Sequence, residues 1–277
     1  MLNMNENVPT LSIVFMVISC LIAFLVPVGL LLYFRIKKKA DILPFFIGCA
    51  VMLIFAFVLE QLAHSLILGS AAGIIIQKNT LLYALYGGLM AGLFEETGRF
   101  VAFKTVLKRK QEKDQNALMY GAGHGGFEAI VILGLAMINN IIYSVFLNTG
   151  HTEVITNTLS GDALTKVEMT FTELATIQSY QFLLGGVERL LAITLQISFS
   201  VLVWFAAKKK DKLYLYPVAV LMHLVVDSVA VLMSQKGVSL LLIEGVLCLL
   251  TLACVWFAKR VWKNCQLSEN RLNYNKH

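Results

Sequence analysis

Residues 11–34 read LSIVFMVISCLIAFLVPVGLLLYF, and residues 35–39, RIKKK, follow them directly. A helix of about 20 mostly apolar residues is long enough to cross a bilayer, and clusters of Lys and Arg flank such helices on the cytoplasmic side. The rest of the chain repeats the pattern. The 277 residues together are 58% hydrophobic and 14% charged, whereas soluble domains carry about 25% charged residues. This composition excludes a disordered chain, a nucleic-acid-binding module and an ordinary soluble enzyme, and it predicts an all-α polytopic membrane helix bundle.

Seven transmembrane helices are predicted, and they leave no room for a separate soluble domain. They cover residues 11–34, 42–69, 80–103, 117–148, 181–207, 214–234 and 238–258. Lys and Arg, which give the chain its net charge of +6, cluster after spans one, three, five and seven. The alternate loops hold only Lys78, Lys166 and Lys236. The positive-inside rule therefore predicts an N-terminus outside and a C-terminus in the cytoplasm.

One membrane-embedded helical domain is expected over residues 1–263, followed by a polar cytoplasmic tail over residues 264–277. Residues 1–10 contain no basic residue before the first apolar run, so we expect a retained anchor rather than a cleaved signal peptide. The 32-residue span 117–148 is longer than a bilayer requires and is expected to tilt, kink or protrude. The five cysteines show no CxxC spacing, which predicts neither a disulfide framework nor a thiolate zinc site.

Twelve ionisable residues inside the predicted spans point to function. Each costs very roughly 3 kcal/mol at mid-bilayer, so they must face one another or water. Counting about 1.5 Å per residue from the cytoplasmic ends sorts them into two layers. The inner layer, nearer the cytoplasm, comes from spans three, four and six and holds Glu95, Glu96, Arg99, His124, Glu128, His223 and Asp227. The outer layer, interpreted as structural, holds Glu60, His64, Glu188, Arg189 and Glu244.

Helical spacing predicts an ion pair in span three. Glu95 and Arg99 are separated by four residues, so they lie on one helix face, and the pair would keep Glu95 charged and oriented. Glu96 lies three residues before Arg99, is rotated about 100° from Glu95 and can point elsewhere.

Two His–carboxylate pairs are predicted in spans four and six. His124 with Glu128, and His223 with Asp227, are each separated by four residues, which suits a carboxylate that fixes the tautomer of an imidazole. A single His–carboxylate pair of this kind is a hydrogen bond that only fixes helix packing about as often as it is part of a functional site. Because three helices supply complementary groups at one depth, the pattern favours a reaction centre.

Three segments taken in order resemble the YhfC family of bacterial membrane proteins: EETGR at 95–99, GAGHGGFE at 121–128 and HLVVD at 223–227. That family belongs with the type II CAAX prenyl endopeptidases (CPBP) and PrsW in a superfamily of intramembrane proteases. The resemblance implies a glutamic-type intramembrane endopeptidase of the bacterial cell membrane that cuts a membrane protein or peptide. The CAAX-type motif is EExxxR rather than EExxR, which leaves open which glutamate is the base, and Glu128 has no certain counterpart.

Carried onto this chain, the resemblance implies that Glu95 or Glu96, with His124, activates water near the cytoplasmic side. His223, supported by Asp227, would stabilise the oxyanion or donate a proton to the leaving amine. No cofactor is then required.

The nearest alternative is a zinc-dependent version of the same protease. Its ligands would come from three helices and be His124, His223, Glu96 and Asp227. An ion- or proton-coupled transporter and a non-catalytic membrane scaffold are the alternatives from other classes. No inverted repeat or pair of broken helices in the sequence supports the transporter.

Overall fold

The computed structural model describes residues 7–274, with side chains described as far as Ser268. Its α-helices are α1 (Thr10–Ile36), α2 (Leu43–Val51), α3 (Gln61–Leu68), α4 (Ala71–Lys78), α5 (Thr80–Lys104), α6 (Gln115–Ala129), α7 (Leu135–Thr149), α8 (Glu153–Thr156), α9 (Asp162–Thr176), α10 (Tyr180–Lys208), α11 (Leu215–Gln235) and α12 (Leu240–Tyr274). Two π-helical segments follow α2 and α6, at Met52–Glu60 and Ile130–Gly134. Single 3-10 turns lie at Lys108–Lys110 and Lys210–Lys212. No strand occurs within residues 7–274, so the all-α prediction is confirmed.

Six helices in the described chain are long and apolar enough to cross a membrane: Thr10–Ile36, Leu43–Leu68, Gln115–Thr149, Tyr180–Lys208, Lys210–Gln235 and Leu240–Ser268. Each overlaps one of the predicted spans. The remaining predicted span is α5, which has 25 residues and carries Glu95, Glu96 and Arg99 within a little more than one turn. The polytopic helix bundle is confirmed, while the seventh crossing and the orientation of the termini stay predictions.

The segments between the predicted spans are more helical than expected. Residues 149–180 separate two predicted spans and were expected to form a loop, but they contain α8 and α9. Helix α9 forms because Val167, Phe171 and Leu174 place an apolar face along it. Gly150, with a φ of 73°, ends α7 in the left-handed conformation that glycine adopts most readily. The last predicted span ended at residue 258, but α12 continues to Tyr274. The predicted tail is therefore helical up to that residue, and residues 275–277 lie outside the described chain, as do residues 1–6 of the expected anchor.

The described chain divides into two compact units. The first comprises residues up to Val26 and Ala129–Leu190. Its core contains Met16, Leu133 and Phe171, with the Phe171 ring edge-on to Tyr143 at 5.5 Å between centroids.

The second unit comprises Pro27–Glu128 and the chain from Leu191 onward. Its core is built around Trp204, whose ring meets Phe103 edge-on at 5.0 Å between centroids. Every residue of the predicted inner layer lies in this unit.

Helices α5 and α11 pack side by side and run antiparallel, which sets the register of the predicted site. At one end the Ser228 hydroxyl donates to the Ala84 carbonyl at 3.0 Å, and at the other the hydroxyls of Thr97 and Tyr216 are 2.8 Å apart. Glycines permit this approach, since a Cβ at Gly92 would lie 2.8 Å from a carbonyl oxygen of α11. The two helices thus bring the EETGR and HLVVD segments to the same level.

A polar cluster anchors the loop between α1 and α2 to the start of α6. The Asp41 carboxylate accepts hydrogen bonds from Lys113 at 2.8 Å and Asn116 at 3.4 Å, and Lys110 lies 3.3 Å away. The Asp41 backbone N–H donates to the Asn116 side chain at 2.8 Å. The hydrogen bond from Lys113, with help from Lys110 and Asn116, lowers the pKa of Asp41 from its ordinary value of 3.8 to about 2.

This lowered pKa predicts an acid-sensitive contribution to stability. A depressed carboxylate pKa stabilises the fold above the unfolded pKa of about 4 and loses that contribution as the pH falls toward 2. After solvent screening we expect about 1 kcal/mol from this partly exposed group. Thermal unfolding of Asp41→Asn should show a smaller loss between pH 5 and pH 2.5 than the unchanged chain. The exposed Glu112→Gln is the matched control, and equal pH dependence of all three proteins would contradict the prediction.

Candidate functional site

Glycines of α6 allow two neighbouring helices to approach His124 closely. A Cβ at Gly121 would lie 2.6 Å from the Cα of Ile197 on α10, and one at Gly125 would lie 2.8 Å from the Cβ of Gln196. On another face Gly123 meets the backbone of α2, where the Cys49 thiol donates to the Gly123 carbonyl at 3.2 Å. The glycines of α6 therefore serve close helix packing, and this packing places His124 against neighbouring helices within the second unit.

Glu95 is the centre of the cluster that results. Its Oε2 accepts three hydrogen bonds, from His124 Nε2 at 2.9 Å, from Gln196 Nε2 at 3.0 Å and from Arg99 Nη2 at 3.2 Å. Its Oε1 faces His223 Nε2 at 3.9 Å. One oxygen of the carboxylate is therefore saturated with donors, and the other is directed at an imidazole.

Glu96 and Arg99 form the second part of the cluster. Arg99 is completely buried, and its Nη1 donates to Glu96 Oε1. The same carboxylate oxygen lies 2.8 Å from His223 Nδ1. The guanidinium thus holds both glutamates, and the i,i+3 spacing of Glu96 and Arg99 is realised as a contact. The reason is that the long arginine side chain forks and reaches both the i−3 and i−4 positions.

Asp227 connects the cluster to the accessible surface. Its Oδ2 lies 3.4 Å from His223 Nε2, and its side chain is 38% exposed, whereas the side chains of His223, Glu95 and His124 are at most 7% exposed. A carboxylate half-exposed on an apolar helix is costly in lipid, so this side of the cluster is expected to face water.

The Glu128 prediction requires a correction. His124 makes its hydrogen bond with Glu95 through Nε2 rather than with Glu128, and its buried Nδ1 has no hydrogen-bond partner. Glu128 Oε2 instead accepts from Gln196 Nε2 at 2.7 Å. The pairing across α5 and α6 arises because the glycines of α6 fix its rotation against its neighbours, which spacing along one helix cannot reveal.

Gln196 is the member of the site that the sequence interpretation missed. It lies on α10, is 5% exposed, and contacts Glu95, Arg99 and Glu128 together. The available signal is an amide inside the apolar run of span five, which an inventory of ionisable side chains leaves out. Two aromatic rings complete the surroundings, with Tyr120 stacked on His124 and Phe199 stacked on His223.

Two pairs of outer-layer residues bond within the pair. Glu60 Oε1 lies 3.2 Å from His64 Nε2, as the spacing predicts, and His64 Nδ1 lies 2.9 Å from the Tyr86 hydroxyl. Glu188 and Arg189 bond to each other. The charge of Glu60 also interacts with those of Glu95, His223 and Asp227. The structural interpretation of the outer layer therefore stays a prediction.

Comparison with known proteins supports the resemblance noted in the sequence. Residues 22–248 match the family described as YhfC intramembrane metalloprotease. The chain belongs to the YhfC family. A relative from Bacillus subtilis (strain 168), named "Uncharacterized membrane protein YhfC", is 37% identical over 228 residues, which are 82% of this chain and 86% of that protein. No solved structure matches significantly. With six apolar helices, this YhfC-family chain is a multi-pass protein of the bacterial membrane.

The description of the YhfC family as metalloproteases requires the cluster to be tested as a metal site. Among the residues whose side chains are described, no group of three or more His, Cys, Asp or Glu is arranged to hold a metal ion. The described residues include the ligands expected for zinc, which are His124, His223, Glu96 and Asp227. The guanidinium of Arg99 lies against both glutamates and would repel a cation there. As arranged, these residues do not fit a metal ion.

Proposed function

We propose that this YhfC-family protein is an intramembrane endopeptidase of the glutamic type, with Glu95 as the general base. The observation that carries the proposal is the single buried cluster in which α5, α6, α10 and α11 bring two carboxylates, a guanidinium and two imidazoles into contact. Buried ionisable groups that converge from separate helices in a membrane protein mark functional sites. The same chemistry, an acid–base pair with an adjacent donor, is what peptide hydrolysis requires.

Glu95 is favoured over Glu96 because of the state of its two oxygens and its access to water. The three donors on Glu95 Oε2 leave Oε1 as the oxygen that can take a proton from water. Glu96 also has one engaged oxygen, Oε1, which lies on both Arg99 and His223, and its Oε2 has no hydrogen-bond partner. The difference is access to water, because Glu96 is 0% exposed whereas Glu95 is 5% exposed. We assign Glu96 to holding Arg99 and His223 in place.

In the proposed reaction, water loses a proton to Glu95 Oε1 while its oxygen attacks the scissile carbonyl carbon. His223, in its protonated form, donates from Nε2 to the developing oxyanion, and Glu96 and Asp227 stabilise that form from either side. The C–N bond then breaks as the proton held by Glu95 passes to the leaving amine, which regenerates the carboxylate. His124 orients Glu95 throughout.

The experiment that tests this function is cleavage of a membrane peptide. The purified full-length protein in liposomes is given a transmembrane peptide labelled on both sides of its apolar segment, and the products are identified by mass spectrometry. The expected result is a new N-terminus and C-terminus within or beside the apolar segment. Binding of peptides without any cleavage by the pure protein would leave a scaffold role and refute the proposal.

Metal dependence is a separate prediction. Because the cluster as arranged does not fit a metal ion, we expect that cleavage continues unchanged after dialysis against EDTA and in the presence of 1,10-phenanthroline. Elemental analysis of the pure protein is the accompanying measurement. Loss of activity with a chelator and its return with added Zn²⁺ would establish the zinc-dependent alternative.

A further inference from the structure

We infer that Gln196 is a positioning residue that determines which oxygen of Glu95 accepts the proton, an inference that rests on the proposed function. Gln196 lies on α10, outside the three segments that carry the family resemblance. Both N–H groups of its amide and one of the two acceptor positions on its oxygen are used within the cluster. Nε2 donates to Glu95 Oε2 at 3.0 Å and to Glu128 Oε2 at 2.7 Å, and Oε1 accepts from Arg99 Nη2.

The orientation of this amide follows from its partners. If the amide were rotated by 180°, its carbonyl oxygen would face two carboxylates, and its NH₂ group would face a guanidinium that has no acceptor. Only one orientation satisfies every atom, so the cluster holds the amide in that orientation. Because all three of its printed partners are themselves buried members of the cluster, the amide is held in place by them and in turn restricts their geometry.

The consequence for Glu95 is that its two oxygens become unequal. Arg99 and His124 already supply two donors to Oε2, and the Gln196 amide adds a third. An oxygen that accepts three hydrogen bonds is a poor site for an added proton, so the proton is directed to Oε1, which faces His223 at 3.9 Å. Gln196 therefore acts through Glu95 and does not itself touch the reacting atoms.

The same amide explains the role of Glu128, which the sequence placed beside His124. Gln196 joins Glu128 to Glu95 through one nitrogen, so both carboxylates are held at fixed positions on either side of it. The close approach of α10 at Gly125 makes this bridge possible, since any larger residue there would contact the Gln196 side chain at under 3.0 Å.

The test compares Gln196→Met, which keeps the volume without hydrogen bonding, with Gln196→Glu. The titratable groups that face position 196 are Glu95 and Arg99 of α5 and Glu128 of α6, with His124 behind Glu95. For Gln196→Met we expect kcat to fall about 10–100-fold with KM nearly unchanged. Gln196→Glu should work best at acidic pH and lose activity as the pH rises, because only the protonated acid can donate to a carboxylate as the amide does.

The control is Ser198→Ala on the same helix, a buried residue whose hydroxyl bonds only its own backbone at Thr194. A kcat of Gln196→Met equal to that of Ser198→Ala, or a Gln196→Glu pH profile that superimposes on that of the unchanged chain, would overturn the inference. The thermal unfolding midpoint of Gln196→Glu is a readout independent of catalysis, and it should rise relative to Gln196→Met on acidification. If the unchanged chain cleaves nothing, the proposed function fails. The unfolding midpoint still decides whether the cluster requires a hydrogen-bond donor at position 196.

Discussion

Glu95→Gln is expected to reduce the kcat of peptide cleavage by about 10³-fold, within the range for removal of a general base. The amide has nearly the shape of the carboxylate, so the helices should pack as before. It cannot take a proton from water at the position that faces His223, however. The measurement is the initial rate of cleavage in liposomes together with a thermal unfolding curve, which separates lost chemistry from lost folding.

The contrast with Glu96→Gln makes this prediction specific to one glutamate. A glutamine at position 96 still offers a carbonyl oxygen to Arg99 or His223, so we expect a loss of only about tenfold. The exposed Glu153→Gln on α8, a residue of the first unit, is the control for an isosteric change outside the cluster. If Glu96→Gln lost more activity than Glu95→Gln, the roles of the two glutamates would have to be exchanged.

The sequence predicted the long apolar helices because nearly every residue in such a helix contributes to its hydropathy. A run such as residues 11–34 contains enough apolar side chains that exact ends hardly matter. Helix α9 escaped notice because its apolar face consists of a few residues at helical spacing within a polar, Thr-rich segment. Its order depends on packing against the core around Phe171, and such tertiary contacts are not visible in local composition.

The site could be predicted as a set of residues but not as a set of pairs. Spacing of four identified Glu95 with Arg99 and His223 with Asp227, since both partners lie on one helix. His124 bonds across to α5, and Gln196 joins from α10, because glycine contacts fix how these helices are rotated. Interhelical register depends on backbone approach, and one sequence read helix by helix does not contain it.

Arg99→Met is expected to cost the largest share of stability of any substitution in the cluster, about 3–5 kcal/mol. The guanidinium is completely buried and bonds Glu95, Glu96 and Gln196. Its removal leaves two carboxylates in an apolar interior without their cation. The free-energy cost of these uncompensated buried charges is much larger than the loss of the ion-pair attraction itself. The measurement is thermal unfolding in detergent, followed by tryptophan fluorescence, with the exposed Arg260→Met on α12 as the matched control.

A double variant distinguishes charge imbalance from lost packing. Arg99→Met combined with Glu96→Gln removes one of the two stranded carboxylates, so it should recover part of the stability lost in Arg99→Met alone. Arg99→Lys should fall between the unchanged chain and Arg99→Met, because an ammonium keeps the charge but cannot fork to three acceptors. If the double variant were less stable than Arg99→Met, or if Arg99→Met melted like Arg260→Met, the guanidinium would not be what allows two glutamates to remain buried side by side.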